Sequence, residues 1–285
     1  MPLSSKVKMT VLKDNLEAQE KDFCKLSQIR FSNLSDVARV ANDFLLASIQ
    51  NGESLNNALL NLGERCREKG SVFTAKDRFG ALMISDQYVF SNLLAEKLFS
   101  HYPDLLEKLL PTTNDLGRVA LVKNKSTEEY LATMQDVFPF TSTVYSIDFK
   151  DAALRVLDGE ADFCLLPYAE NSYFPIYSVL DAAMRAELLL VALLKTDGLT
   201  YGVYGKTRPL AGIKTFILQY AYPPQMTFPV EILDKVDERF SYKNGTEHVK
   251  IDTWKEENHN SIISAMLYFK LFAPEVKIVG CATTL

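Results

Sequence analysis

Three short polar segments carry the side chains best suited to chemistry. Lys123 to Thr127 and Glu170 to Ser172 each follow a short apolar run typical of a buried strand, and each stands where a helix begins. The third segment, Thr207-Arg208, places a hydroxyl beside a guanidinium. Backbone N–H groups at a helix N-terminus attract anions, and a positioned hydroxyl can donate a proton. The sequence therefore predicts a site for a small anionic ligand, made of Thr127, Asn171, Ser172, Thr207 and Arg208.

The same hydroxyls and amides also have a plain structural explanation. Ser, Thr and Asn side chains commonly cap a helix by accepting a hydrogen bond from its first free N–H groups. Ser126 followed by Glu129 predicts a capping box at the start of one helix, and Asn171 and Ser172 can cap the next helix. On residue types alone, capping is the preferred explanation.

The cysteines and histidines show no metal or redox motif. No C-x-x-C pair occurs among the cysteines, which are Cys24, Cys66, Cys164 and Cys281. The histidines are scattered at positions 101, 248 and 259, and the polar stretch around His259 is typical of a solvated loop. We therefore expect no metal ion and no cofactor.

Composition and charge bound the class of protein. The chain has 285 residues, a net charge of −5 and 47% hydrophobic residues, which are ordinary globular values. Its strongly apolar run from Leu188 to Leu194 is too short to span a membrane, and the N-terminus lacks the apolar core of a secretory signal. We expect a cytoplasmic protein that binds neither nucleic acid nor a membrane.

The pattern of apolar residues divides the chain into three parts. Helical periodicity dominates residues 1–115, where only residues 79–84 are ambiguous between a strand and a longer helix. Strands and helices alternate in residues 116–212, which favours a parallel α/β sheet with ligands beyond the carboxyl ends of its strands. Within that part, Asp197-Gly198 between two apolar runs predicts a β-hairpin. Residues 213–285 follow the order β-α-β-β-α-β of a ferredoxin-like fold.

The middle part resembles the prephenate dehydratases. That family carries G-x-x-D, a buried strand, P-x-E-N-S/T and a downstream Asp, and this chain has Gly159 to Asp162, then Pro167-Tyr-Ala-Glu-Asn-Ser172, then Asp181. One extra residue before Glu170 is compensated by one fewer before Asp181. Thr207-Arg208-Pro209 matches two of three residues of the family's Thr-Arg-Phe.

The resemblance implies both a fold and residue roles. Thr207 would be the catalytic acid, Arg208 would support it or hold a carboxylate, and Thr127, Asn171 and Ser172 would position the substrate. The C-terminal part resembles the ACT domain that follows the catalytic region in this family, which implies a homodimer. We expect its first strand, with Phe216, Leu218, Tyr220 and Tyr222 on one face, to contribute to pairing.

Two departures separate this chain from the family. The loop at Lys123 to Thr127 lacks the family's glycines. The family's second lobe between Asp181 and Thr207 is replaced by the hairpin, which leaves a single periplasmic-binding-protein-like α/β lobe. Either the N-terminal helices supply the other wall of the cleft, or the cleft is gone.

Two functions fit these residues equally well. One is a divergent prephenate dehydratase of phenylalanine metabolism, a carbon–oxygen lyase acting on prephenate or a related cyclohexadienyl acid. The other is a non-catalytic ACT-type protein, descended from that family, that senses a ligand or dimerises. In both cases the expected ligand is a small anionic molecule of the aromatic pathway.

Overall fold

The structure is a computed structural model, and it describes most of the chain. The described residues are 32–67, 84–110, 112–113, 117–137, 140–170, 176–195, 199–209, 216–244, 247–256 and 259–284. Asn171, Ser172 and most of the ambiguous stretch 79–84 lie outside them. No helix among the described residues has both the length and the apolarity needed to cross a bilayer.

Helices make up the N-terminal part. They are α1 (32–50), α2 (Leu55–Arg67), α3 (Ile84–Phe99) and α4 (Leu105–Leu109). In α1 the positions Ala38, Ala41 and Leu45 recur at helical spacing and are fully buried. The helix is followed by Gly52 in the left-handed region at φ 91°, a conformation that glycine adopts without strain.

Strands and helices alternate from residue 112 onward. In chain order they are β1 (Thr112–Thr113), β2 (Gly117–Val122), α5 (Lys125–Val137), β3 (Phe140–Ser146), α6 (Phe149–Leu157), β4 (Phe163–Glu170), α7 (Tyr177–Arg185), β5 (Leu189–Lys195), β6 (Leu199–Gly205) and β7 (Arg208–Pro209). The C-terminal elements are β8 (Phe216–Tyr222), α8 (Val230–Leu233), β9 (Glu238–Asn244), β10 (Glu247–Glu256), α9 (His259–Phe272) and β11 (Lys277–Thr284).

Nine of these strands form one mixed sheet. Their order is β3-β2-β4-β6-β5-β11-β8-β10-β9, and β1 pairs separately with β7. Strands β3, β2 and β4 run parallel, whereas β6 is antiparallel to both β4 and β5. The hairpin β5–β6 therefore lies inside the sheet, between β4 and β11, because β6 pairs with β4 on one side and β5 pairs with β11 on the other.

The C-terminal elements build the far half of the same sheet. Strands β11, β8, β10 and β9 are neighbours in that order, and each of these three pairings is antiparallel. The parallel pairing of β11 with β5 joins this half to the rest, with Gly280 opposite Leu190. The molecule is thus a mixed α/β protein built on one large sheet.

The largest apolar core lies between the N-terminal helices and the C-terminal half of the sheet. Helix α9 packs on the sheet on one side and on α2 and α3 on the other, so it is buried almost all round. Arg67 in α2 donates a hydrogen bond from Nη1 to the carbonyl of Leu271 at 2.7 Å. His259, expected in a solvated loop, begins α9, and its ring packs edge-on against Phe216.

The face of β8 that we expected to contribute to dimerisation is covered within the chain. Phe216, Leu218, Tyr220 and Tyr222 are all buried, and they belong to the core beneath α9. The alternation of apolar residues marks this face correctly, but the element that covers it is a helix of the same chain. These four side chains are therefore not available to a second copy.

Candidate functional site

Thr127 forms the hydrogen bonds of a helix cap. It lies in the first turn of α5 with no exposed surface. Its hydroxyl donates to the carbonyl of Val122 at 2.7 Å and accepts from the N–H of Asn124 at 3.1 Å. The Asn124 side-chain oxygen in turn accepts from the N–H of Thr127 at 2.9 Å. The hydroxyl is thus fully engaged with the surrounding main chain.

Thr207 lies at the end of the sheet where β2 and β4 begin. Gly205, the last residue of β6, pairs with Phe163, the first residue of β4. The neighbouring Lys206 donates from Nζ to the carbonyl of Leu157, the last residue of α6, at 2.7 Å. Arg208 belongs to β7, and its backbone pairs with that of Thr112 in β1.

The strand register separates Thr207 from Thr127. Val119, Phe163 and Gly205 form one row across β2, β4 and β6. From that row β2 continues for three more residues, about 10 Å, before the chain turns toward Thr127. Beyond Gly205 the chain runs the other way along the sheet, because β6 is antiparallel to β4. The prediction that Thr207-Arg208 lies beside Thr127 is therefore wrong. The hairpin does bring the chain back to β4. Because β6 runs antiparallel to β4, however, the end of β6 lies beside the first residue of β4 and not beside its last residue.

The described end of the Glu170 segment also lies away from Thr207. Glu170 pairs with Leu199 at the far end of the ladder, about 23 Å along β4 from Phe163. Asn171 and Ser172 follow Glu170 but lie outside the described residues, so their participation in a site stays a prediction.

A buried acid was missed by the sequence analysis. Asp252 of β10 has 1% of its side-chain surface exposed and accepts hydrogen bonds from the hydroxyls of Tyr222 at 2.9 Å and Tyr220 at 3.3 Å. Its Oδ1 has no hydrogen bond and lies 3.9 Å from Nε of Arg239. Burial raises the pKa of Asp252 above its ordinary value, and the two hydroxyls and Arg239 only partly oppose that effect. The available signal was an acid placed two residues before Trp254 on an inward-facing position of the strand.

A groove between α7 and β11 was also missed. It has a volume of about 620 Å³ and is lined by the end of α7, the turn into β5 and the start of β11. Glu187 in that turn adopts φ 54°, the only non-glycine residue in the left-handed region among those described. The N–H of Leu188 bonds to the carbonyl of Ala183 at 2.9 Å, the six-to-one bond that closes such helix ends. Glycine usually occupies the place that Glu187 takes here.

The groove carries charges of both signs. Asp181 and Arg185 on α7 form an ion pair at 2.9 Å. Glu187 and Lys277 also line the groove, and neither has an ion-pair partner among the described residues. Asp181 is the downstream acid of the family resemblance, and its carboxylate is held by a neighbour one helical turn away.

Cys66 and Cys164 are poorly suited to act as nucleophiles. Burial raises the pKa of the Cys66 thiol to about 12 and raises that of Cys164 further. A thiol with so high a pKa carries almost no thiolate at neutral pH and is a poor nucleophile.

Comparisons with known proteins gave partial likenesses. No protein-family model and no curated protein matches the sequence. Among solved structures, prephenate dehydratase from Streptococcus mutans matches at 15% identity and a TM-score of 0.46, covering 59% of this chain and 98% of that one. Prephenate dehydratase from Arthrobacter aurescens, in complex with L-Phe, matches at 12% identity and 0.44, covering 58% and 89%. GqqA, described as a quorum quenching acylase, matches at 16% identity and 0.39, covering 58% and 94%.

Proposed function

We propose that this chain is a non-catalytic ligand-binding protein related to the prephenate dehydratases. The observation that carries the proposal is the position of Thr207 and Thr127 on opposite sides of the row formed by Val119, Phe163 and Gly205. The ligand is a small molecule with a carboxylate, as expected from the sequence. In this proposal the units are the helical residues 1–115, the lobe 116–212 and an ACT-like unit, 213–285.

The geometric demands of prephenate dehydration argue for a non-catalytic function. The reaction removes the ring hydroxyl and a carboxylate together, so a proton donor and the carboxylate-binding groups must contact one small substrate. Thr207 is too far from Thr127 for such shared contact, and the Thr127 hydroxyl is already bonded to Val122 and Asn124. The residues predicted for catalysis therefore do not act as one centre in this proposal.

The C-terminal strand order supports a sensing role. The four strands in the order β11-β8-β10-β9, with helices after the first and third in sequence, are typical of the split β-α-β arrangement to which ACT domains belong. Ladder bonds between β11 and β5 couple this unit to the lobe. A ligand bound at the junction would therefore act on both halves.

A homodimer through the ACT-like unit remains part of the proposal. Phe216 and its three companions on β8 cannot form the contact, since α9 covers them. Among the described strands, β9 forms the outer edge of this unit and has a ladder neighbour on one side only. Light scattering tests the proposal: a mass of about twice 32.1 kDa is expected, and a monomer at micromolar concentration would contradict it.

Incubation with prephenate tests the absence of catalysis. Phenylpyruvate, followed by its absorbance in alkali, should not accumulate above the spontaneous rate with the wild-type chain or with Thr207→Ala. Thr200→Ala is the matched control, because it removes a half-buried threonine hydroxyl at the other end of β6. Turnover that is lost in Thr207→Ala and kept in Thr200→Ala would overturn the proposal and favour the dehydratase.

A further inference from the structure

We infer that Asp252, Arg239 and the carbonyl of Leu233 form a pH-dependent latch that fastens the end of α8 to the sheet. The latch is closed when the Asp252 carboxyl is ionised, and it opens when that carboxyl is protonated. The inference goes beyond the proposed ligand-binding function and does not depend on it. It rests on the position of one arginine between a buried carboxylate and the end of a short helix.

Helix α8 needs contacts with the rest of the molecule to stay in place. It has four residues, and among the described residues no side-chain hydrogen bond caps its N-terminus. A helix of this length is not stable alone, because its few hydrogen bonds do not offset the cost of nucleation. Ile232 supplies a buried apolar contact, and Lys235, just after the helix, donates from Nζ to Oγ of Ser261 at 2.9 Å. The end of the helix itself depends on a further contact with the sheet.

Arg239 of β9 joins the end of this helix to a buried carboxylate. Its Nη2 donates to the carbonyl of Leu233 at 3.2 Å, and its Nε lies 3.9 Å from Oδ1 of Asp252. That second distance is too long for a hydrogen bond, so charge attraction holds the guanidinium beside Oδ1. Oδ1 has no hydrogen bond among the described residues, whereas Oδ2 accepts from the hydroxyls of Tyr220 and Tyr222. Oδ1 is therefore the oxygen available to a proton.

Asp252 is the titratable group whose charge operates the latch. Tyr220 and Tyr222 of β8, Arg239 of β9 and Lys250 of the same strand also act on this carboxyl. Burial, and then the charge of Asp252, raise the pKa of both tyrosines, so their hydroxyls stay protonated. Arginine and lysine side chains do not titrate in the acidic range. Burial raises the pKa of Asp252 above its ordinary value of 3.8, so the latch opens at a less acidic pH than an exposed aspartate would allow.

Protonation of Asp252 removes the attraction that holds Arg239. The Arg239 side chain is 52% exposed, so the released guanidinium is hydrated without rearrangement of the core. The Leu233 carbonyl then loses a charged donor and, among the described residues, keeps the N–H of Val236 at 3.3 Å. The turn from Leu233 to Val236 therefore opens more often at acidic pH. Because α8 also packs against α3, the latch makes this contact with the N-terminal helices depend on pH.

Hydrogen exchange of the amides at residues 234–236, followed by NMR on the full chain, tests the inference. These amides donate within the last turn of α8 and just after it. After correction for the intrinsic pH dependence of exchange, they should open about fivefold more often at a pH of about 4 than at about 7, the usual effect of one lost hydrogen bond. The midpoint should coincide with the titration of the Asp252 carboxyl, observed by its carbon chemical shift. An equal increase at the amides of β8 would show loosening of the whole fold and overturn the latch.

Variants of the two charged partners separate the latch from other acids. Asp252→Asn and Arg239→Gln should each open as often at neutral pH as the wild type does at acidic pH, and should lose the pH dependence. Arg239→Gln changes a half-exposed side chain, so it remains informative if Asp252→Asn disturbs the core. Glu231→Gln and Asp234→Asn remove other acids in or beside α8 and are the controls, which should keep the wild-type pH dependence. Slow exchange at neutral pH in Arg239→Gln, or a pH dependence that survives Asp252→Asn or disappears in a control, would contradict the inference.

Discussion

The hydroxyl of Thr127 holds the strand β2 to the helix α5 that follows it. Its bonds to Val122 and Asn124 engage a main-chain carbonyl at the end of β2 and a main-chain N–H just before α5, while the hydroxyl itself is buried. The residue type suggested both a cap and a ligand contact, and sequence spacing alone could not separate them, since both uses place a hydroxyl at a helix start. The burial and the two bonds decide in favour of the cap.

Removing this hydroxyl should cost stability. We expect Thr127→Ala to lower the free energy of unfolding by about 1–2 kcal/mol, the usual cost of losing a helix cap. Thr127→Ser keeps the hydroxyl oxygen and should lower the free energy of unfolding by less. Urea denaturation followed by circular dichroism measures both, and an unchanged midpoint in Thr127→Ala would contradict the capping role.

The buried carboxyl of Asp252 should give the protein a distinct pH dependence. Burial raises the pKa of Asp252 in the folded state, so the folded chain binds this proton more tightly than the unfolded chain. Its contribution to stability is complete below the ordinary pKa of 3.8 and is lost as the pH rises through the raised folded-state pKa. Asp252→Asn should therefore gain stability relative to wild type as the pH rises from about 4 to about 7.

Unfolding free energies of both proteins, measured at several pH values in that interval, test this prediction. Asp158→Asn, which changes an exposed acid at the end of α6, is measured in parallel as the control for replacing an Asp by Asn. A difference between Asp252→Asn and wild type that is flat with pH, or that slopes the other way, would show that Asp252 is not the group responsible.

Helix α9 is held between the sheet and the N-terminal helices. Its periodicity predicts a helix with an apolar face, yet nearly every side is apolar, which indicates partners on both sides. Which helices those partners are could not be read from sequence, because the contact joins positions more than two hundred residues apart, as between Arg67 and Leu271.

The close approach of α2 to α9 depends on Gly63. A Cβ atom there would lie 2.9 Å from the carbonyl oxygen of Lys270 and 3.2 Å from Cα of Leu271. We expect Gly63→Leu to lower the free energy of unfolding by about 2–3 kcal/mol through overpacking, despite the better helix propensity of leucine. Glu64→Leu, at the exposed neighbouring position, should change it by less than about 0.5 kcal/mol. Equal effects of the two substitutions in chemical denaturation would contradict this packing.

At the scale of the whole molecule, local patterns and long-range pairing differ in how well sequence predicts them. The Asp197-Gly198 turn predicts a hairpin, and β5 and β6 do pair antiparallel. The insertion of that hairpin between β4 and β11 depends on pairings with distant strands, which no local pattern encodes. The prediction that Thr207 and Thr127 lie close together was wrong because it did not account for the antiparallel pairing of β6 with β4. The charged groove at Glu187 and Lys277 was missed because its walls come from distant parts of the chain.

The separation of the two predicted site segments is the most direct test of this account. Spin labels on cysteines placed at the exposed positions Lys125 and Lys206, in a chain whose native cysteines are replaced, report the distance between them. The strand register predicts a mean distance of about 20 Å, because the labels lie beyond opposite ends of the paired strands. A mean distance below about 12 Å, seen as strong dipolar broadening, would place both segments around one ligand and contradict the account.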